Sequence, residues 1–298
     1  MLPAEIIARF RVDKGKSFKL ADIDPCDTCG LDIDKNDAKE LLETGVKRLS
    51  KLQERLYAEG KWAILAILQG LDTAGKDGVI KHVLSGVNPQ GCEVHSFKAP
   101  SALELAHDYL WRCTVALPTR GRIGIFNRSY YEETVVVRVH PELLAKQNLP
   151  PKLVTDQIWQ QRFEDINNYE LHLARNGTVP IKFFLNISKD EQLERLLARI
   201  DDPDKRWKFN LYDVEERKLW DEFIAAYDTT IRHTATEHAP WYVVPANHKW
   251  FSRLVVAAVL VERMEALDPQ FPKFDEADAA ALEKAQAGLR EEANKIKR

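Results

Sequence analysis

Apolar positions recur at intervals of three and four from Leu42 through Val46, Leu49 and Leu52 to Leu56. This predicts an amphipathic helix that Asp34 caps and Gly60 ends. Directly afterwards the spacing vanishes: Trp62-Ala-Ile-Leu-Ala-Ile-Leu68 is apolar throughout, as expected of a strand covered on both faces of a parallel sheet. Beyond Gly75 a helical pattern returns at Val79, Ile80, Val83, Leu84 and Val87. The alternation continues with a strand at 93–97, a helix at 102–116, a buried strand at 122–126, and a long helix over about 155–176 that Asn176-Gly177 stops. A strand at 181–187 and a helix at 189–200 come next. A polar interruption at 201–210 precedes a helix with Trp220, Phe223, Ile224, Tyr227 and Ile231 on one face; a strand at 241–244 and a helix at 250–267 close the pattern.

Strands alternating with helices predict an α/β fold with a parallel, doubly wound sheet flanked by helices. Nothing between 34 and 267 reads as a linker, so this stretch is expected to be one domain. Residues 1–33, mixed and rich in Asp and Pro, predict an extended N-terminal arm. Pro269 and Pro272 break the chain before a polar, Ala-rich tail over 268–298, expected to form an extra helix or a packing arm.

Composition narrows the possibilities. The 298 residues are 45% hydrophobic and 30% charged, which excludes a disordered chain, a collagen and a disulfide-stapled scaffold. No window of 18 apolar residues exists, and the N-terminus has no apolar signal core and carries Glu5 and Asp13, so a cytoplasmic protein without a membrane partner is expected. Cys26 and Cys29 form a lone CxxC with no second pair at zinc spacing and read as free thiols. A net charge of −3 gives no global field for nucleic acid, so any polyanion must be met by local positive charge. Residues 61–140 hold nine Lys/Arg against seven Asp/Glu, a surplus too small for a basic face. The cations must converge from distant segments.

One loop shows where. Gly70-Leu-Asp-Thr-Ala-Gly-Lys76 matches GxxxxGK between a buried strand and a helix start, where successive backbone N–H groups and the helix dipole hold a phosphate and the lysine reaches its outer oxygens. Thr73, Ala74, Gly75, Lys76, Asp77 and Gly78 are the expected phosphate-binding residues, with Lys81 following; the bland alternative is a plain glycine turn. Asp77 stands where such loops usually carry a Ser or Thr that holds Mg²⁺, and Asp72 lies inside the loop. Two carboxylates there would repel a phosphate unless a divalent cation lay between them, so Mg²⁺ is expected, with Mn²⁺ able to substitute. The second strand runs into Asn127-Arg128, with Asn where an acid is usual. Asp77 would then supply the missing charge, with Glu132 or Glu133 as a further ligand, giving Asp72, Asp77, Glu132 and Glu133 as candidate metal ligands. Arg128 is suited to clamp phosphate oxygens. The alternatives are a solvated helix start for the two glutamates and a structural ion pair for Arg128. Lys205, Arg206 and Lys208 surround Trp207 in a segment expected to form a mobile lid over about 201–212, or else a solvated loop with Trp207 in the core.

Taken together, GLDTAGKDGVIKHVLSGVNPQG (70–91), DYLWR (108–112), FNRSYYEE (126–133), KFFLNISKDEQ (182–192), DPDKRWKF (202–209) and TEHAPWYVVPANHKW (236–250) resemble the family-2 polyphosphate kinases over about residues 15–267. The resemblance implies a P-loop kinase fold with a thymidylate-kinase-like core and a helical lid. It also implies Mg²⁺-dependent, reversible phosphoryl transfer from inorganic polyphosphate to AMP or ADP, in a homo-oligomer, dimer or tetramer. GKDG combined with FNRS resembles the third class, which acts on both AMP and ADP, whereas the ADP-directed class pairs GKGG with FDRS. Carried over by match, Asp72, Lys76 and Arg128 take catalytic roles, and Arg206 and Lys208 bind phosphate or its metal. An ATP-dependent nucleoside monophosphate kinase on the same fold and a nucleotide-gated binding module are the competing readings.

Overall fold

The computed structural model describes residues 2, 4–273 and 275–296. Six strands form one sheet: β1 (Arg11–Val12), β2 (Ala63–Gln69), β3 (Cys92–Ser96), β4 (Ile123–Asn127), β5 (Thr178–Asn186) and β6 (Trp241–Pro245), in the order β1-β6-β5-β2-β4-β3. The pairs from β3 to β6 are parallel, and β1 joins the β6 edge antiparallel. The helices of eight or more residues are α1 (Lys35–Glu59), α2 (Lys76–Val83), α3 (Ile158–Arg175), α4 (Lys189–Asp201), α5 (Leu211–Lys218), α6 (Trp220–Thr234), α7 (Lys249–Leu267) and α8 (Glu276–Ile296).

All seven residues of β2 are buried, and its alternate side chains enter different cores. Ile64, Ala66 and Leu68 pack with Leu49, Leu52 and Leu56 of α1, Val79 and Val83 of α2, and Val255 and Val259 of α7. Leu65 and Ile67 pack with Ile166 and Leu173 of α3 and Phe223, Tyr227 and Ile231 of α6. A central strand covered on both sides has no polar face to present, which is why its sequence shows no period of two. Chain crossovers leave β2 for β3 on one side and return to β5 on the other, so the loop after β2 opens at a topological switch point.

Three expectations need correction. The N-terminal arm is not simply extended: it holds a helical turn at Ala4–Arg9 and then β1, with Val243 N donating to Phe10 O at 2.9 Å. The predicted helix at 102–116 is two one-turn helices, Ala102–Leu105 and Trp111–Thr114, because the Asp108 carboxylate accepts from Leu110 N (3.0 Å) and starts a new turn. The segment after 210 is two helices, α5 and α6, meeting at Leu219. Beyond α7, α8 carries Leu282 and Leu289 exposed.

Candidate active site

The loop between β2 and α2 reverses through Gly70, Thr73 and Gly75, at φ 149°, 66° and 107°. A Cβ at Gly70 would lie 3.0 Å from Leu185 O and 3.1 Å from Ala74 Cβ, so only glycine lets the loop start this close to β5. Thr73 holds a left-handed conformation that a β-branched residue rarely adopts, a strain of the kind found at ligand clamps. Lys76, the first residue of α2, is buried, and its Nζ donates to Gly70 O (2.6 Å) and Leu71 O (3.2 Å). Burial first, and the nearby Arg128 second, bring its pKa down to about 8.

Parallel pairing sets Asn127, the last residue of β4, opposite Leu68. The next residue, Arg128, is left-handed (φ 66°) with its N–H on Leu68 O at 3.0 Å, which turns its side chain back over the loop. Its guanidinium bridges Asp72 Oδ1 (2.6 Å) and Glu132 Oε2 (3.0 Å), and Glu132 is the main reason its pKa rises. Asn127 Nδ2 donates to Asp77 Oδ1 at 2.8 Å. Behind Arg128, Tyr130 and Tyr131 donate to Glu170 Oε1 (2.9 and 2.8 Å), whose other oxygen takes Lys182 Nζ at 2.6 Å. This fully buried cluster anchors the turn that carries the arginine.

The four candidate metal carboxylates do not converge. Glu133 is corrected out of the set: the short 3-10 turn Tyr130–Glu133 sends it away from the loop, where it is buried against Gln147 Nε2 (2.8 Å) and Arg162 Nε (3.3 Å), and burial raises its pKa. Asp72 and Glu132 are both engaged by Arg128, while Asp77 is 71% exposed at the side chain. Among the described residues no cluster of three or more His, Cys, Asp or Glu could hold a metal ion by itself. These are hard oxygen donors, and Thr73 Oγ1 in the same loop is buried without a partner. The set therefore fits a magnesium ion that keeps phosphate and water ligands, and does not fit an all-protein cage.

One cleft of about 960 Å³ gathers the site. It is lined by the loop from Asp72 to Gly78, Asn127 and Arg128, and by Lys205, Trp207 and Lys208 of the segment between α4 and α5. Trp207 is 77% exposed, not tucked into the core, with Lys208 Nζ 5.1 Å from its ring centre and 3.8 Å from Asp77 Oδ2. Lys205 also pairs with Asp202. Lys81 and Arg206 do not reach the cleft lining; Arg206 Nε is turned back onto Ile200 O (2.6 Å).

Sequence reasoning missed Lys98, Arg195, Arg199, Lys249 and Arg253, which line the same cleft. Lys249 and Arg253 lie one turn apart at the start of α7, where cations oppose the helix dipole, an unfavourable placement that is itself a sequence signal. Burial and the charge of Arg195 lower the pKa of both, as expected where cations crowd together. The four cysteines are free thiols, and no helix among the described residues is long and apolar enough to cross a membrane.

A glycine loop after a central parallel strand, a lysine heading the next helix and a cation-lined cleft at the switch point define a P-loop phosphate-handling protein. Residues 32–272 match the family described as Polyphosphate kinase 2 (PPK2). The chain is 50% identical over 270 residues to the ADP-polyphosphate phosphotransferase of Rhodopseudomonas palustris, covering 89% of this chain and 92% of that one. It is 47% identical over 265 residues to the AMP/ADP-polyphosphate phosphotransferase of Meiothermus ruber, covering 89% and 95%. The crystal structure of polyphosphate kinase 2 from Arthrobacter aurescens TC1 matches with a TM-score of 0.84 at 42% identity, over 95% of this chain and 96% of that one. The chain belongs to the polyphosphate kinase 2 family and has its P-loop kinase fold.

Proposed function

We propose that this chain transfers phosphoryl groups from inorganic polyphosphate to AMP and ADP, giving ADP and ATP, reversibly and with Mg²⁺ or, in its place, Mn²⁺. The observation that carries this reading is the convergence of Lys76, Arg128, Lys208, Lys249 and Arg253, from four separate segments, on one cleft of a chain whose net charge is −3. Such a cleft grips one end of a polyanion where a basic face would bind nucleic acid along its length. The likeness to relatives named polyphosphate phosphotransferases supports polyphosphate, and not ATP, as the donor in this reading.

The terminal phosphate oxygen of the nucleotide attacks the end phosphorus of the chain in line. A P–O bond forms there, and the bond to the next phosphate of the chain breaks. The attacking oxygen is already ionised near neutral pH, so no strong base is required, and catalysis is positioning plus charge neutralisation. Lys76 leaves Gly70 O and Leu71 O for the phosphate oxygens, and Arg128 clamps them from the other side, with Asp72 fixing its fork. The backbone N–H groups of the loop and Lys205 and Lys208 of the lid hold the remaining charge. Asp72 and Asp77 would hold the magnesium ion, with Glu132 supporting Arg128; the ion supplies further neutralisation of phosphate charge when bound. In this reading residues 34–267 are the catalytic unit, 1–33 an arm that adds β1 to its sheet, and 268–298 an appended tail, in a cytoplasmic homo-oligomer.

Parallel incubation with AMP or ADP, Mg²⁺ and polyphosphate, followed by separation of the nucleotides, tests the reading. ADP and ATP should form without added ATP. Product only when ATP replaces polyphosphate would assign the chain to the nucleoside monophosphate kinases instead.

A further inference from the structure

Every backbone carbonyl from Gly70 to Ala74 is held by a side-chain donor. Lys76 takes Gly70 O and Leu71 O, the two tethers that phosphate binding would release. The other three are held from α4: Gln192 Nε2 donates to Asp72 O (3.2 Å), and Arg195 Nη1 donates to Thr73 O (3.0 Å) and Ala74 O (3.1 Å). A peptide is planar, with its C=O and the following N–H pointing in opposite directions. Fixing the carbonyls of Asp72 and Ala74 toward α4 therefore aims the N–H groups of Thr73 and Gly75 the other way, into the cleft, while the N–H between them, of Ala74, closes the turn onto Leu71 O (3.1 Å).

Arg195 has nothing left for a substrate. Its Nη2 donates to Ala246 O (2.6 Å) and Asn247 O (2.9 Å), and its Nε to Glu191 Oε1 (2.7 Å). All five guanidinium N–H groups are thus engaged, although the side chain borders the cleft. Ala246 and Asn247 follow β6, so Arg195 staples the loop after β2 to the loop after β6 across the intervening β5. Asn247 in turn accepts from Ser188 N (2.9 Å), and Ser188 caps α4, which closes the ring. The far end of α4 runs into the lid segment, and Arg217 of α5 donates to Gln192 Oε1 at 3.0 Å.

We propose that Gln192 and Arg195 are positioning residues for phosphoryl transfer, presetting the N–H groups of Thr73 and Gly75 toward the phosphates without touching them. This rests on the polyphosphate reading of the cleft. A preset donor array needs no reorganisation in the transition state, so its loss falls on kcat and leaves ground-state binding nearly intact.

The test compares wild type with Arg195→Lys, Arg195→Gln and Gln192→Met, measuring kcat, the KM for polyphosphate and its dependence on salt. Arg195→Lys keeps the charge but cannot span four carbonyls, and its kcat should fall on the order of 100-fold with KM within about threefold. Gln192→Met should lose about tenfold in kcat, one tether of three being gone. The slope of log KM against log salt should be unchanged in Arg195→Gln, because no phosphate contact is removed. Wild-type kcat in Arg195→Lys or Gln192→Met overturns the proposal, and so does a shallower salt slope in Arg195→Gln, which would make Arg195 a direct phosphate ligand. If the arginine variants do not fold, the Gln192→Met result decides. A wild-type protein active with ATP but not polyphosphate defeats the functional reading alone, and the same comparison then runs with ATP as donor.

Discussion

Asn127 Nδ2 donates to Asp77 Oδ1 at 2.8 Å, so the neutral residue that ends β4 is paired with the acid that opens the helix after the loop. An acid at position 127 would face Asp77 at the same distance, and two carboxylates that close cannot both stay ionised without a cation between them. The carboxylate of this pair thus stands at the helix start and not at the strand end, and there it also lies 3.8 Å from Lys208 Nζ.

Asn127→Asp should therefore change which nucleotide is used. An acid at the strand end with Asp77 still present must either share a proton with it or be held by a bound cation, so the charge of this corner changes and the ratio of AMP to ADP turnover should shift by roughly tenfold, the rate equivalent of about 1.4 kcal/mol. Initial rates with each nucleotide at saturating polyphosphate measure it. An unchanged ratio would remove Asp77–Asn127 from the account of substrate choice.

Lys76→Ala should lower kcat by at least ~100-fold, the usual loss for one preorganised charged donor at a developing negative charge. Nothing else on α2 can replace it, because Lys81 does not reach the cleft lining. A near-wild-type rate would move the reacting phosphate out of this loop.

The depressed pKa of Lys76 gives binding and folding opposite pH dependences. In the free protein it loses its proton near pH 8, against an ordinary value of 10.5, chiefly because it is buried. A bound polyanion favours the charged form, so the complex holds more protons than the free protein above pH 8. Polyphosphate affinity should then fall as pH rises through 8, with proton uptake on binding. For folding the unfolded chain is the state that binds more protons between 8 and 10.5, so this residue's share of stability rises with pH over the same window. Calorimetric titrations of tripolyphosphate at pH 9, in two buffers of different ionisation enthalpy, should show markedly more proton uptake in wild type than in Lys76→Met.

The glycine loop and the buried strands are legible because each rests on local pattern, glycine spacing and an unbroken apolar run, and of the three cations beside Pro203 two, Lys205 and Lys208, line the cleft. Position across the fold is not legible. Glu132 and Glu133 are neighbours in sequence, yet a single 3-10 turn sends one to Arg128 and the other to Arg162. Arg195 sits on an ordinary amphipathic helix, and only the adjacency of β6, β5 and β2 brings two loops within reach of its fork. Lys249 and Arg253 head a helix read as core, and packing of α7 beside α2 is what turns them to the cleft. The arm's two-residue strand is too short for any period to show.

The buried Lys182–Glu170 pair should set a large part of the stability of the turn behind Arg128. Both side chains are fully buried, and every partner of Lys182 Nζ is accounted for: Glu170 Oε2 (2.6 Å), Tyr131 OH (3.0 Å) and Thr234 O (2.7 Å). Burial pulls the lysine's pKa down, and Glu170 opposes that shift. Removing the carboxylate in Glu170→Gln leaves a buried cation without its counter-charge, and denaturant unfolding should show a loss of about 3–5 kcal/mol at pH 7. With Glu170 gone the folded lysine titrates lower still, the unfolded chain binds more protons, and the deficit should shrink as pH rises toward 10. Replacing both residues, Glu170→Leu with Lys182→Met, should recover much of the loss, because no charge is then buried alone. A double variant as unstable as Glu170→Gln would mean that the two tyrosines, left without their acceptor, matter more than the ion pair.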